Sequence, residues 1–179
     1  METNIAHPST ELILVFRNPK DTAVSYYHFH QTNPGLVSYN GWDEFFPKFM
    51  AGEVCWGSYF EYAAEWEKHI EDENLLVITF EELKQNLYEG VKSLAAFLGF
   101  SLNEEQLQSI TKKGDFQAMK SKSQEKNPSL VNIFYRKGEV GDWRNYFSEA
   151  QNLEMDAMFE KYLAGTKLGK KLQYDVYCK

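Results

Sequence analysis

LILVFRNPKDTAVSYYHF, residues 12–29, is the stretch that decides the fold. Leu12, Ile13, Leu14, Val15 and Phe16 form a continuous apolar run of the length expected for a strand buried on both faces, and Asn18-Pro19 then reads as the N-cap and first residue of a helix. Arg17 falls between the two. It stands at the carboxyl end of a parallel-type strand, just ahead of a helix N-terminus, where open α/β sheets bind ligands. The arrangement suits a phosphate.

Working outward, Pro19 to about Gln31 is expected to be helical, closed by Thr32, Asn33, Pro34 and Gly35. An aromatic segment with Trp42, Phe45, Phe46 and Phe49 is broken by Pro47. A helix is predicted from about Trp56 to Glu73, its Tyr59, Tyr62, Ala63, Trp66 and Ile70 at helical spacing and read as core. Leu75 to Phe80 is a second buried strand. After it Leu83, Leu87, Val91, Leu94 and Leu98 predict one helix capped by Gly99. Another helix is expected over about Asn103 to Thr111. The polar stretch 112–132 reads as loop, with at most one helical turn at Phe116 to Lys120. Residues 148–163 read as helix and the end of the chain as irregular. Two buried strands alternating with helices specify α/β, yet two strands are few for a parallel sheet, which survives by being covered and continued.

At 179 residues a single domain is the natural division, able to bury about 70% of the unfolded chain's surface. Hydrophobic residues make up 43% and charged residues 25%, which is the composition of a soluble globular protein; 16% aromatic residues predict a dense core or a ring-lined pocket. No window is long and apolar enough to span a bilayer, and METNIAHPST lacks the basic-then-apolar order of a signal peptide, so a cytoplasmic location is expected. Cys55 and Cys178 are too few for a disulfide framework or zinc knuckle. A net charge of −7 argues against nonspecific nucleic-acid binding but not against one nucleotide held by a few local cations.

No metal site is expected: His28 and His30 are two apart, hence on different faces of a helix, and are read as surface or partly buried; His7 and His69 are isolated. AGTKLGKK, residues 164–171, has Gly and Lys without Walker spacing and reads as a solvated tail. The second strong signal is RKGEVGDW, residues 136–143. Arg136 supplies a forked donor and Lys137 a point charge, while Gly138 lets the backbone approach an anion. Taken alone, it is a basic surface turn.

Together, RNPKD followed by AVSYYHF and R-K-G followed by G-D-W resemble the two nucleotide-binding signatures of the cytosolic sulfotransferases, in the same order. WDEFFPKFMAGEV at 42–54, FEELKQN after the second strand and the AGT near the end are similar to further landmarks, and GEVGDW with FSEAQN brings the chain nearest the sixth vertebrate family. The resemblance covers residues 11–179, as the C-terminal portion of one sulfotransferase domain, with residues 1–10 as a nonmatching leader. It implies a partial P-loop-like three-layer α/β fold, a parallel sheet with flanking helices, whose N-terminal strands are missing.

Family members transfer a sulfuryl group from 3′-phosphoadenosine 5′-phosphosulfate to a small-molecule hydroxyl or amine acceptor, with no metal. By motif position Arg17, Ser25, Arg136, Lys137 and the N–H of Gly138 would contact the donor's 3′-phosphate, Phe116 would pack against adenine, and Phe29 would line the acceptor pocket. Phe80 stands where the family usually has a tyrosine, and Gly114 where it has a threonine. The dimerisation signature is degenerate, as Arg144, Phe147, Ser148 and Glu149 with Leu153 last, so a homodimer by that route is not expected. The T-Y-P-K-S-G-T-type phosphosulfate loop and the general-base histidine, which in the family precede RNPKD, have no counterpart ahead of Arg17. His7 lies too near the strand to be that base. No catalytic residue is therefore assigned, and the chain alone is expected to be inactive, since general-base loss typically costs ~10²-fold to 10⁴-fold. Three readings follow: part of a longer enzyme, a non-catalytic isoform that binds nucleotide or pairs with full-length subunits, or, weakly for want of a Walker loop, a nucleotide kinase. An uncovered apolar sheet edge is expected to make the chain aggregation-prone or partly molten.

Overall fold

The computed structural model describes residues 10–179. Its sheet has two parallel strands, β1 (Leu12–Phe16) and β2 (Leu75–Thr79), in register from Leu12 opposite Leu75 to Phe16 opposite Thr79. Helices flank this sheet, as the sequence predicts. α1 (Pro19–Thr32) starts where expected: the Asn18 side chain accepts the N–H of Asp21, and Pro19 occupies the first turn, where its missing donor costs nothing.

β1 departs from the expected burial. Only Phe16 is buried; Leu12, Ile13 and Val15 are exposed, Val15 at 57%. With β2 as its one hydrogen-bonded neighbour among the described residues, β1 is an edge strand. β2 is covered on both sides. Leu75 and Val77 join the main core, while Ile78 faces α5 (Leu87–Phe97), where Gly90 permits close approach: a Cβ there would lie 2.4 Å from the Leu83 side chain.

Pro47 does not break the aromatic segment. It lies inside α2 (Trp42–Met50), whose Phe45, Phe46, Phe49 and Met50 are all buried. Each such side chain contributes about 1.5–3 kcal/mol on burial, against ~3 kcal/mol for proline in a helix interior, so packing prevails. α3 (Tyr59–Glu67) is shorter than predicted, because Trp56 adopts a left-handed conformation (φ 65°) and Ser58 caps the helix. Of its stripe, Ala63 is buried but Tyr62 is exposed.

The single helix expected after β2 is two. Thr79 and Glu82 form a capping box that opens α4 (Phe80–Gln85) directly on the strand; Asn86 then leaves helical geometry (φ −150°, ψ 85°) and caps α5. Gly99 ends α5 at φ 72°, as predicted. α6 (Glu104–Gly114) is followed by α7 (Phe116–Lys126) and α8 (Pro128–Phe134), correcting the loop expected over 112–132. Asp115 caps α7 and Pro128 sits in the first turn of α8, but α7 buries no residue and so leaves no apolar periodicity.

A 3-10 turn (Asp142–Asn145) leads into α9 (Glu149–Tyr162), and the supposedly irregular end carries α10 (Lys167–Lys171) and α11 (Tyr174–Tyr177). AGTKLGKK is no solvated tail. Leu168 is 1% exposed, and a Cβ on Gly169 would meet the Leu163 carbonyl oxygen at 2.0 Å. The core gathers Phe16, Ala23, the α2 rings, Phe60, Met155, Phe159, Leu163, Leu172 and Cys178 into one cluster. Among the described residues, no helix is long and apolar enough to cross a membrane.

Candidate functional site

A cavity of about 540 Å³ opens beside the carboxyl end of β1. Arg17, Ser25 and Arg136 all line it, together with His28, Thr22 and an aromatic wall of Tyr26, Phe29, Trp56 and Phe134. Tyr26 stacks on both Phe29 and Trp56, with ring centroids 6.2 and 5.9 Å apart. Phe29 is also 5.8 Å from Phe134, so α1, the α2–α3 connection and α8 meet in this wall.

Arg17 is positioned by the strand-to-helix turn. Its Nη2 donates to the Glu139 carbonyl at 2.6 Å, its guanidinium lies 4.4 Å from the Phe80 ring centre, and its backbone carbonyl accepts the Tyr59 hydroxyl at 2.7 Å. Nε is buried without a partner. Burial lowers the Arg17 pKa and Arg136 adds to the effect, opposed by Asp21 and Glu81. An anion would relieve both the desolvation and the repulsion.

Asp142 organises the second signature. Its Oδ1 accepts Lys137 Nζ at 2.6 Å and Asn145 Nδ2 at 2.8 Å, while its Oδ2 pairs with Arg136 Nη1 at 2.6 Å. Burial alone would raise the Asp142 carboxyl, but hydrogen bonds from Lys137, Asn145 and Arg136 hold it down at about 2. Gly138 has φ 66°, and a Cβ there would fall 2.5 Å from the Phe116 ring. Glycine is thus required twice, for its backbone conformation and for the ring.

Asp21 and Asn18 tie the two signatures together. Asp21 Oδ2 accepts Gly141 N–H at 2.7 Å and Asn18 Nδ2 at 2.8 Å, and its Oδ1 accepts Trp143 N–H at 3.0 Å. Asn18 donates from both its backbone and its side chain to Glu81 Oε1, at 3.0 and 2.7 Å. The three acids Asp21, Glu81 and Asp142 escape sequence reading. Asp21 and Asp142 sit in motifs read for their cations, and Glu81 in FEELKQN, read only as a landmark after the second strand.

The structure thus brings Arg17, Ser25 and Arg136 to one cavity. Lys137, Gly138 and Phe116 adjoin it without lining it: Lys137 is drawn to Asp142, and Phe116 is packed on Gly138 and 5.8 Å from the Tyr135 ring. The two α1 histidines diverge as their spacing requires. His28 Nε2 lies 2.7 Å from the Tyr146 hydroxyl, and burial with Arg136 nearby lowers its pKa. His30 is not a surface group; it is 2% exposed, with Nδ1 2.8 Å from the Val37 carbonyl oxygen. His69 pairs with Asp72 on the surface, and His7 lies outside the described residues. Among the described residues, no three His, Cys, Asp or Glu side chains cluster in a way that could hold a metal.

Comparison with known proteins bears on this geometry. The sulfotransferase domain family matches residues 1–167. Sulfotransferase 6B1 of Mus musculus is 52% identical over 168 residues, and that of Homo sapiens 51% over 175, covering 94% and 98% of this chain. The chain spans 55% and 58% of those two relatives' lengths. Among solved structures, mouse sulfotransferase SULT7A1 complexed with PAP superposes with a TM-score of 0.84 at 35% identity, over 92% of this chain and 62% of that one. Retinol dehydratase in complex with androsterone and inactive cofactor PAP gives 0.78 at 27% identity, over 88% and 48%. With a family match across nearly its whole length and two anion-suited signatures folded against one cavity, the chain belongs to the sulfotransferase family.

Proposed function

We propose that this chain holds the 3′-phosphoadenosine end of the sulfuryl donor 3′-phosphoadenosine 5′-phosphosulfate. Arg17, Ser25, Arg136, Lys137 and the N–H of Gly138 serve the 3′-phosphate, and Phe116 packs against adenine. The observation that carries this reading is the convergence of Arg17, Ser25 and Arg136 on one cavity, from two segments more than 100 residues apart in sequence. A dianionic phosphate needs several convergent donors, and charge-assisted bonds contribute about 1.5–3 kcal/mol each. Arg136 spends Nη1 on Asp142, but a guanidinium carries five donors in all. Relatives holding PAP support the same assignment.

The aromatic wall of Tyr26, Phe29, Trp56 and Phe134 forms part of an acceptor pocket for a small apolar molecule bearing a hydroxyl or amine, as androsterone in the complex with retinol dehydratase suggests. Nothing in the 179 residues matches a T-Y-P-K-S-G-T-type phosphosulfate loop. We therefore assign nucleotide binding, and no step of the sulfur transfer itself, to these 179 residues; a non-catalytic nucleotide-binding module is the alternative reading. Its two free cysteines suit a cytoplasmic location. At the degenerate dimerisation signature, Leu153 is 63% exposed where the family has a glutamate, and the protein acts without a homodimer of that type.

Isothermal titration with adenosine 3′,5′-bisphosphate, the desulfated donor, tests the site: binding by wild type, lost in Arg17→Ala and Arg136→Ala, is the expected result. Unaltered binding in both variants refutes it. Incubation with the sulfated donor and a phenolic acceptor is expected to give no product, and turnover by the pure chain overturns the non-catalytic reading.

A further inference from the structure

Residues 177–179, beyond both signatures, form a strap across them. Three successive backbone oxygens each accept one side-chain donor: Tyr177 from Trp143 Nε1 at 2.8 Å, Cys178 from Lys20 Nζ at 2.6 Å, and Lys179 from Arg144 Nη2 at 2.5 Å. Two donors belong to the 3-10 turn that follows Arg136-Lys137-Gly138, and the third to the first turn of α1, close behind Arg17.

The strap is buried where it matters. Cys178 and Lys20 are both 0% exposed, and Cys178 Sγ lies 3.4 Å from the Oδ1 of Asn18, the N-cap of α1. Lys20 cannot be released cheaply. Its ammonium also donates to Asp156 at 2.6 Å and to Asn152, and lies 4.6 Å from the Trp143 ring centre. Asp156 reaches on to Lys179 Nζ at 3.0 Å, so one carboxylate grips both α1 and the strap.

We propose that residues 177–179 are a positioning element for the 3′-phosphate site, fixing the turn that carries Arg136 against the helix that follows Arg17; this rests on the nucleotide reading above. The strap contributes no residue to the cavity lining. It acts through Trp143, Arg144 and Lys20. Asp21 still holds Gly141 and Trp143 when the strap is gone, so the loop stays folded but populates its binding geometry less, and apparent affinity falls by that fraction.

The experiment titrates the full chain, a variant lacking residues 177–179, and the point variants Trp143→Phe and Arg144→Gln with adenosine 3′,5′-bisphosphate and with adenosine 5′-phosphate. The expected result in the strap variants is a loss of about tenfold for the bisphosphate, and less than about twofold for the monophosphate. Preference for the 3′-phosphate then collapses. Should the deletion fail to fold, the point variants decide. Equal weakening of both nucleotides marks a purely structural strap and overturns the proposal, as does unchanged bisphosphate affinity in the point variants. Wild type without preference for the bisphosphate overturns the nucleotide reading itself and the positioning role with it, an outcome seen before any variant is made.

Discussion

Asp21, in the first turn of α1, accepts the backbone N–H of Trp143 at 3.0 Å across 122 residues of sequence. This bond, with its companion from Gly141, makes the second signature an extension of the first helix rather than a separate loop. Replacing Asp21 with Ala leaves the N–H groups of Gly141 and Trp143 without an acceptor, while the Asn18 amide keeps Glu81. Each orphaned buried group costs about 1–3 kcal/mol. Asp21→Ala is expected to lower stability by at least ~2 kcal/mol and to abolish nucleotide binding, read by urea denaturation and titration; a variant within ~1 kcal/mol of wild type, by the same scale, contradicts the role given to Asp21.

Gly138 and Phe116 offer a double-mutant cycle. Gly138→Ala meets two penalties, about 1–2 kcal/mol for a left-handed backbone and a Cβ 2.5 Å from the ring. Phe116→Ala removes the second penalty and leaves the first. The pair should therefore be less destabilised than the sum of the single variants, by about 0.5–3 kcal/mol as expected for residues in contact. Strict additivity in chemical denaturation would mean that the ring does not press on the glycine.

Much of this was legible beforehand, and the failures share a cause. Residues 12–32 could be read from local sequence because an apolar run and an Asn-Pro cap determine local structure directly. So could the Gly99 cap. α7 could not, since it buries nothing and periodicity records only burial. Pro47 looks like a breaker in sequence because the four buried side chains that outweigh it gain their partners from distant elements. Within the site, the cations announced themselves as motif residues. Lys20 did not: a lysine reads as exposed, and the groups that bury it, Asn152, Asp156 and Cys178, lie 132 or more residues away. Asp21 and Glu81 are equally hidden, because Asp21 accepts from Gly141 and Trp143, and Glu81 from Asn18, across 63 or more residues.

The Asp142 pair predicts a pH dependence. Its folded-state pKa, about 2, lies below the ordinary aspartate value of 3.8, so the folded protein binds this proton less readily than the unfolded chain. That difference stabilises the fold fully above pH 3.8 and is lost as pH falls from there through about 2. Urea melts between pH 2 and 5 should show wild type losing stability faster than Asp142→Asn over this window. Parallel curves would show that Asp142 gains nothing from Arg136 and Lys137 in the folded state.

The edge strand is the last testable element. Leu12, Ile13 and Val15 are exposed at 40%, 39% and 57% on a strand hydrogen-bonded on one side to β2. A row of unpaired backbone groups beside exposed aliphatic side chains templates pairing with another chain. The protein is therefore expected to self-associate with rising concentration and to melt broadly. Ile13→Lys interrupts the apolar edge without entering the cluster that holds Leu14 and Phe16. Light scattering should fall in this variant at equal concentration, while a secondary-structure spectrum like wild type's shows that the fold persists. A sharp, cooperative melt from monodisperse wild-type monomer would contradict the expectation, because it would mean that an exposed aliphatic edge of this length is tolerated without a covering partner.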